Sequence, residues 1–165
     1  LLGHHHKFQK QHLFEEATRV PFIVSVPWMK NQHGKATAHI TELIDLYPTL
    51  AELSGLTPPR RLQGQSMLPL LKNPKSDDWK KELAFTISRS GGESIRTPQW
   101  RFTQWNHGKG GMELYDLKND PGEFNNLAQD SKHARQLEKM KRQLESTRRQ
   151  AGYSAARFAK KKKQK

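Results

Sequence analysis

The run Phe22-Ile-Val-Ser-Val26, apolar and β-branched, with Pro21 before it and Pro27 after it, constrains the fold of this chain more than any other feature. Such a run lacks polar alternation, so it reads as a strand covered on both faces, the kind an α/β sheet uses. The flanking prolines limit how far a ladder extends along it. Just ahead lies a polar stretch holding His4, His5, His6, Lys7, Lys10 and His12, side chains that bind anions or metals and move protons. Loops at strand ends are where α/β proteins place their chemistry, so this stretch is the candidate site. Within it, Lys10 is favoured as an anion-binding residue. A metal at the three adjacent histidines is disfavoured, because neighbours on an extended backbone point to opposite faces.

Composition bounds the rest. At 33% hydrophobic and 27% charged, 165 residues support one modest core. The absence of cysteine excludes a disulfide framework, thiolate metal sites and a cysteine nucleophile. No run of about 18 apolar residues exists to span a membrane, and no signal-peptide pattern is present in this chain. The net charge of +13 is unevenly placed. Residues 132–165 carry 13 Lys/Arg against only Glu138 and Glu145, a local excess of +11, whereas the remaining 131 residues carry 16 Lys/Arg and 14 Asp/Glu. The body is nearly neutral, and a basic tail ending in Lys160-Lys-Lys-Lys-Gln-Lys165 is expected to be disordered and able to touch polyanions.

Leu46, Leu50 and Leu53 recur at helical spacing, with Pro48 in the first turn, Asp45 as the cap and Gly55 at the C′ position. Gly64 to Lys72 reads as a short helix or apolar loop. Leu83 to Ser88, Trp100 to Trp105 and Met112 to Leu117 read as three strands separated by Gly-rich turns, hence an antiparallel meander. Asp77 and Asp78 read as an N-cap ahead of Trp79. Asp116, Asp120 and Glu123 read as a turn around Asp120-Pro-Gly before they read as a metal loop. From Lys132 to about Gln150, Leu137, Met140 and Leu144 mark an amphipathic helix capped by Asp130 or Ser131, the natural cover for the meander. There is no Gly-x-Ser-x-Gly, no phosphate-cradling Gly-rich loop and no His-Glu-x-x-His.

Five segments, taken in order, resemble one family: Leu2-Gly-His-His-His-Lys-Phe-Gln-Lys10, Leu13-Phe-Glu-Glu-Ala-Thr-Arg-Val-Pro21, Leu43-Ile-Asp-Leu-Tyr-Pro-Thr-Leu-Ala-Glu-Leu-Ser-Gly55, Ile95-Arg-Thr-Pro-Gln-Trp-Arg-Phe-Thr-Gln-Trp105 and Glu113-Leu-Tyr-Asp-Leu-Lys-Asn-Asp-Pro-Gly-Glu-Phe-Asn-Asn-Leu-Ala128. Over about residues 1–150 the chain resembles the C-terminal part of type I sulfatases, most of all the iduronate-2-sulfatase-like branch. The resemblance implies an alkaline-phosphatase-like α/β fold, with residues 1–75 as the end of the main domain, 76–152 as an antiparallel β plus helix subdomain, and 153–165 as the basic tail. It also implies hydrolysis of sulfate esters, on uronic-acid-containing polysaccharides, in a periplasmic, extracellular or lysosomal setting.

Family members use a formylglycine nucleophile, made within a Cys/Ser-x-Pro-x-Arg motif, beside a calcium ion (Ca2+). The present sequence departs from that pattern. It lacks cysteine, and Ser25-Val-Pro-Trp-Met29 ends in methionine where the motif needs arginine. The family's calcium ligands fall upstream of the matched part, so the nucleophile and metal would belong to an N-terminal sulfatase portion. Lys10 matches the family's active-site lysine, whose ammonium binds a sulfate oxygen and stabilises charge on the bridging oxygen. By the same pattern His5 lies beside the pocket as a second catalytic and substrate-binding residue, placed to touch substrate or donate a proton; Thr18 and Arg19 fix the loop to the sheet; and Arg96 and Trp105, from the subdomain that shapes access, are expected to bind the sugar or its carboxylate. Two other readings stay open: a non-catalytic polyanion-binding module acting through the basic helix and tail, and a pseudo-sulfatase subunit working with a separate N-terminal half.

Overall fold

The computed structural model describes residues 2–8 and 12–152, so Lys10 and the basic tail lie outside the described residues. Strands β1 (Ala84–Ile87), β2 (Gly92–Arg96), β3 (Trp100–Trp105) and β4 (Met112–Asp116) form an antiparallel meander in sequential order. Sequence patterning gave three strands, and the fourth is β2. Its Gly-Glu-Ser-Ile-Arg composition hides it, because a strand with neighbours on both sides needs little apolar character of its own.

Register builds the core. Phe85, Ile95, Phe102 and Leu114 are cross-strand partners in one row, and α4 (Ala134–Gln150) lies over that face with Leu137, Met140 and Leu144. Ile95, Phe102 and Leu114 are fully buried. The spacing of three and four residues between the α4 side chains puts them on one stripe. The helix is entered through a 3-10 turn at Ser131–His133, where the Asp130 side chain accepts from Lys132 N at 2.9 Å, as expected of a cap.

A smaller unit precedes the sheet. Helix α2 (Leu46–Leu53) ends in a Schellman closure: Leu56 N donates to Ala51 O at 2.8 Å and Gly55 N to Glu52 O at 3.1 Å, with Gly55 at φ +71°. Asp45 is fully buried but does not cap α2. It instead closes the preceding 3-10 turn by accepting from Glu42 N at 2.8 Å, and it holds Lys81 Nζ at 2.7 Å and Gln65 N at 3.0 Å. Helix α3 (Leu68–Lys72) contributes Leu70 to a cluster with Met67 and Trp79, whose indole donates to Ile40 O at 2.9 Å. No helix begins at Trp79, so Asp78 is not an N-cap; it closes a turn with Ser76.

The expected strand at Phe22–Val26 is not formed. Among the described residues that segment has no ladder partner, and Phe22 is 40%, Ile23 91% and Val24 38% exposed. A doubly covered strand needs neighbours on both sides, and the four-stranded sheet offers it none.

Candidate functional site

The second face of the sheet carries polar side chains, and its register creates an electrostatic problem. Arg96 on β2 and Arg101 on β3 are direct cross-strand partners, and like charges so placed repel. Glu15, on the short helix α1 (Glu15–Thr18), resolves it by accepting from both guanidinium groups: Arg96 Nε at 3.2 Å and Nη2 at 3.3 Å, and Arg101 Nη2 in a short contact. Arg101, only 2% exposed, also donates to Glu123 Oε1 at 2.5 Å, Ser94 Oγ at 3.3 Å and Thr18 Oγ1 at 3.0 Å. Glu123 in turn accepts from Glu15 N at 2.7 Å. Burial pushes the Glu15 carboxyl up, but the Arg96 hydrogen bond and the Arg101 charge together outweigh it and hold it below the usual carboxylate range. This network docks the N-terminal segment onto the sheet. Thr18 takes part as the sequence suggested, whereas Arg19 is exposed and only 3.6 Å from Glu15.

Docking positions a cleft of about 390 Å³ between the N-terminal segment and the sheet, lined by Lys7, His12, Phe14, Trp105 and Glu113. A Cβ on Gly92 would stand 2.7 Å from both Leu13 Cδ1 and Trp105 Cζ3, so glycine there lets Leu13 and the indole approach the strand. The Trp105 indole donates to Glu113 Oε1 at 3.1 Å. Burial pushes the Glu113 carboxyl up despite that bond. Burial, followed by the Lys7 ammonium, lowers His12. A cleft with a cation, an imidazole held toward neutrality, an indole face and a carboxyl of raised pKa suits an anionic, hydroxyl-bearing ring.

The sequence-derived residues are placed unevenly. Trp105 lines the cleft. Lys7 and His12, flanking the undescribed residues 9–11 that contain Lys10, line it too. His5 stands behind it, stacked on Phe14 with ring centroids 3.8 Å apart and 6° between planes. Arg96 is engaged by Glu15. Glu113 escaped sequence reasoning; its signal was alternation along β4, which puts Glu113 on the same face as Trp105 in the neighbouring strand. Asp116 and Asp120 accept hydrogen bonds that close the loop, from Lys118 N at 3.1 Å and Asn125 N at 2.7 Å respectively, as a turn requires.

The calcium and formylglycine of the sulfatase pattern do not fit these residues. Ser25 lies in the irregular 19–26 segment without the motif's arginine. Among the described residues, the group of His, Asp or Glu side chains whose donor atoms converge is His4, His5 and Glu16, and two imidazoles with one carboxylate are not the all-oxygen shell calcium takes.

Comparison with known proteins places these features in a family. Residues 3–150 match the family model described as N-sulphoglucosamine sulphohydrolase, C-terminal. A Δ4,5-hexuronate-2-O-sulfatase of Bacteroides thetaiotaomicron is 34% identical over 143 residues, covering 80% of this chain and 29% of the relative. A solved 2-O glycosaminoglycan sulfatase superposes with a TM-score of 0.57 at 31% identity, covering 66% of this chain and 24% of that one. A second, solved with its substrate D-glucosamine-2-N,6-O-disulfate, gives 0.57 at 26% identity, covering 64% and 23%. The chain belongs to the sulfatase family, in the part described as its C-terminal region, and its meander and helix are that region of an alkaline-phosphatase-like fold. It spans less than a third of the length of these relatives.

Proposed function

We propose that this chain is the C-terminal, substrate-binding part of a longer sulfatase that hydrolyses sulfate esters of hexuronate-containing glycans. The cleft carries this reading: Lys7, His12 and Trp105 line it together, and Lys10 falls between the first two in sequence. Lys10 and Lys7 supply point charges that need not match one orientation of a sulfate. Trp105 offers an apolar face to the sugar ring, and Glu113 a hydroxyl partner. Arg96 acts as a positioning residue through Glu15, and His5 through Phe14. Residues 1–75 then complete the main α/β domain and 76–152 form the subdomain. The setting is periplasmic, extracellular or lysosomal; among the described residues, no helix is long and apolar enough to cross a membrane.

The chain on its own lacks the nucleophile and should not turn over an aryl sulfate, with or without calcium. Its binding function is testable directly. Titration with a 2-O-sulfated unsaturated hexuronate disaccharide should shift the Trp105 indole N–H resonance, and the desulfated sugar should bind more weakly. Lys10→Ala should abolish that preference. Equal affinity for the two sugars, or indifference to Lys10→Ala, overturns the reading. If binding depends instead on residues 153–165, the chain is a polyanion-binding module.

A further inference from the structure

We propose that His4, His5 and Glu16 form a binding site for a divalent transition-metal ion of the zinc class, separate from the substrate cleft and from any calcium site. The backbone makes the site possible. Adjacent histidines diverge on an extended chain, but here residues 4–6 form one 3-10 turn, with Gly3 at φ +102°, His5 at +52° and His6 at +55°. The turn is closed by His6 N to Gly3 O at 2.9 Å, Lys7 N to His4 O at 3.0 Å and Gly3 N to Lys7 O at 2.9 Å. The left-handed residues rotate the His4 and His5 rings together, with centroids 4.4 Å apart.

Two further observations point to a ligand. His5 Nε2 is a buried atom without a hydrogen-bond partner, although a buried polar nitrogen ordinarily has one. Glu16, from α1, brings a carboxylate oxygen into contact with His4 Nδ1, and the donor atoms of all three residues lie within 4.8 Å of one another. In a tetrahedral zinc shell with bonds of about 2.0–2.1 Å, donors stand about 3.3 Å apart, so small side-chain rotations close the set on a cation.

The donors decide the ion. Two neutral imidazoles and one carboxylate suit Zn2+ or Co2+, with a fourth position left for water, and do not suit Ca2+ or Mg2+. Phe14 stacks on His5, and Phe124 meets His4 edge-on at 4.9 Å, so apolar rings hold both imidazoles in place. Left-handed backbone at a non-glycine residue is strained, and a bound ion offsets that strain. The ion would clamp the loop carrying Lys7 to α1 and thereby fix one wall of the cleft.

The test reads metal rather than sulfate-ester chemistry, so its failure leaves the sulfatase reading standing. Metal-free full-length chain titrated with Co2+ should develop the visible bands of a four- or five-coordinate ion at one equivalent, and one equivalent of Zn2+ should erase them. His5→Ala and Glu16→Gln should each abolish the bands, and His39→Ala should leave them intact. Because a ligand variant could unfold the segment, histidine NMR of the unmodified chain supplies a second readout. One equivalent of Zn2+ should shift the imidazole signals of His4 and His5 and leave those of His33, His107 and His133 in place. Absence of binding, bands that survive His5→Ala, or displacement of Co2+ by equimolar Ca2+ overturns the proposal.

Discussion

The sheet–helix unit of residues 84–150 and the segment of residues 19–62 are built from similar apolar side chains with opposite results. In the first, Ile95, Phe102 and Leu114 lose all contact with solvent beneath α4. In the second, Val20, Phe22, Ile23, Val24, Trp28, Leu43, Ile44, Tyr47, Leu50, Leu56 and Leu62 are exposed, and among the described residues beyond 63 only Ile87 and Phe124 are comparable large apolar side chains. One region completes its own core; the other presents apolar surface of the kind that marks an interface. In the proposed longer sulfatase, the rest of the α/β domain covers it and pairs with Phe22–Val26.

Substitutions across this divide should have unequal effects. Phe102→Ala removes the centre of the row between β2, β4 and α4 and should cost about 3–5 kcal/mol, measured by urea unfolding. Arg101→Ala should cost a similar roughly 3–5 kcal/mol by leaving Glu123 buried without its cation. Replacing both with an apolar pair, Arg101→Met with Glu123→Leu, should recover part of that loss. A smaller effect is expected from pH. The Glu15 carboxyl titrates lower in the folded chain than in the unfolded one, so its contribution is complete above the unfolded value of about 4.3 and is lost as pH falls through the folded value. Stability followed from neutral to acid pH should therefore fall less steeply in Glu15→Gln than in the parent. Ile23→Lys should change stability by less than about 0.5 kcal/mol while reducing self-association in sedimentation, because 91% of Ile23 already faces solvent.

The same divide governs what the sequence revealed. Helix α4, its Asp130 cap and strands β1, β3 and β4 were legible because their apolar periodicity answers to partners within the chain. Strand β2 was not, since its burial comes from its neighbours rather than from its own residues. Phe22–Val26 reads as a covered strand, but no strand of the four-stranded sheet pairs with it, so its apolar pattern alone misplaces it. At the site, the polar run and Trp105 were visible, whereas Glu113 and the Glu15 bridge between Arg96 and Arg101 needed the strand register. The convergence of His4 and His5 was hidden by the left-handed turn, which no spacing rule announces.

Amide hydrogen exchange tests the central claim most directly. In the chain alone, the amides of residues 22–26 should exchange as fast as those of an unstructured peptide while residues 100–105 stay protected, and 22–26 should gain protection when the chain is joined to the upstream α/β part of a sulfatase. Protection of 22–26 in the chain alone, or no gain on joining, would contradict the account.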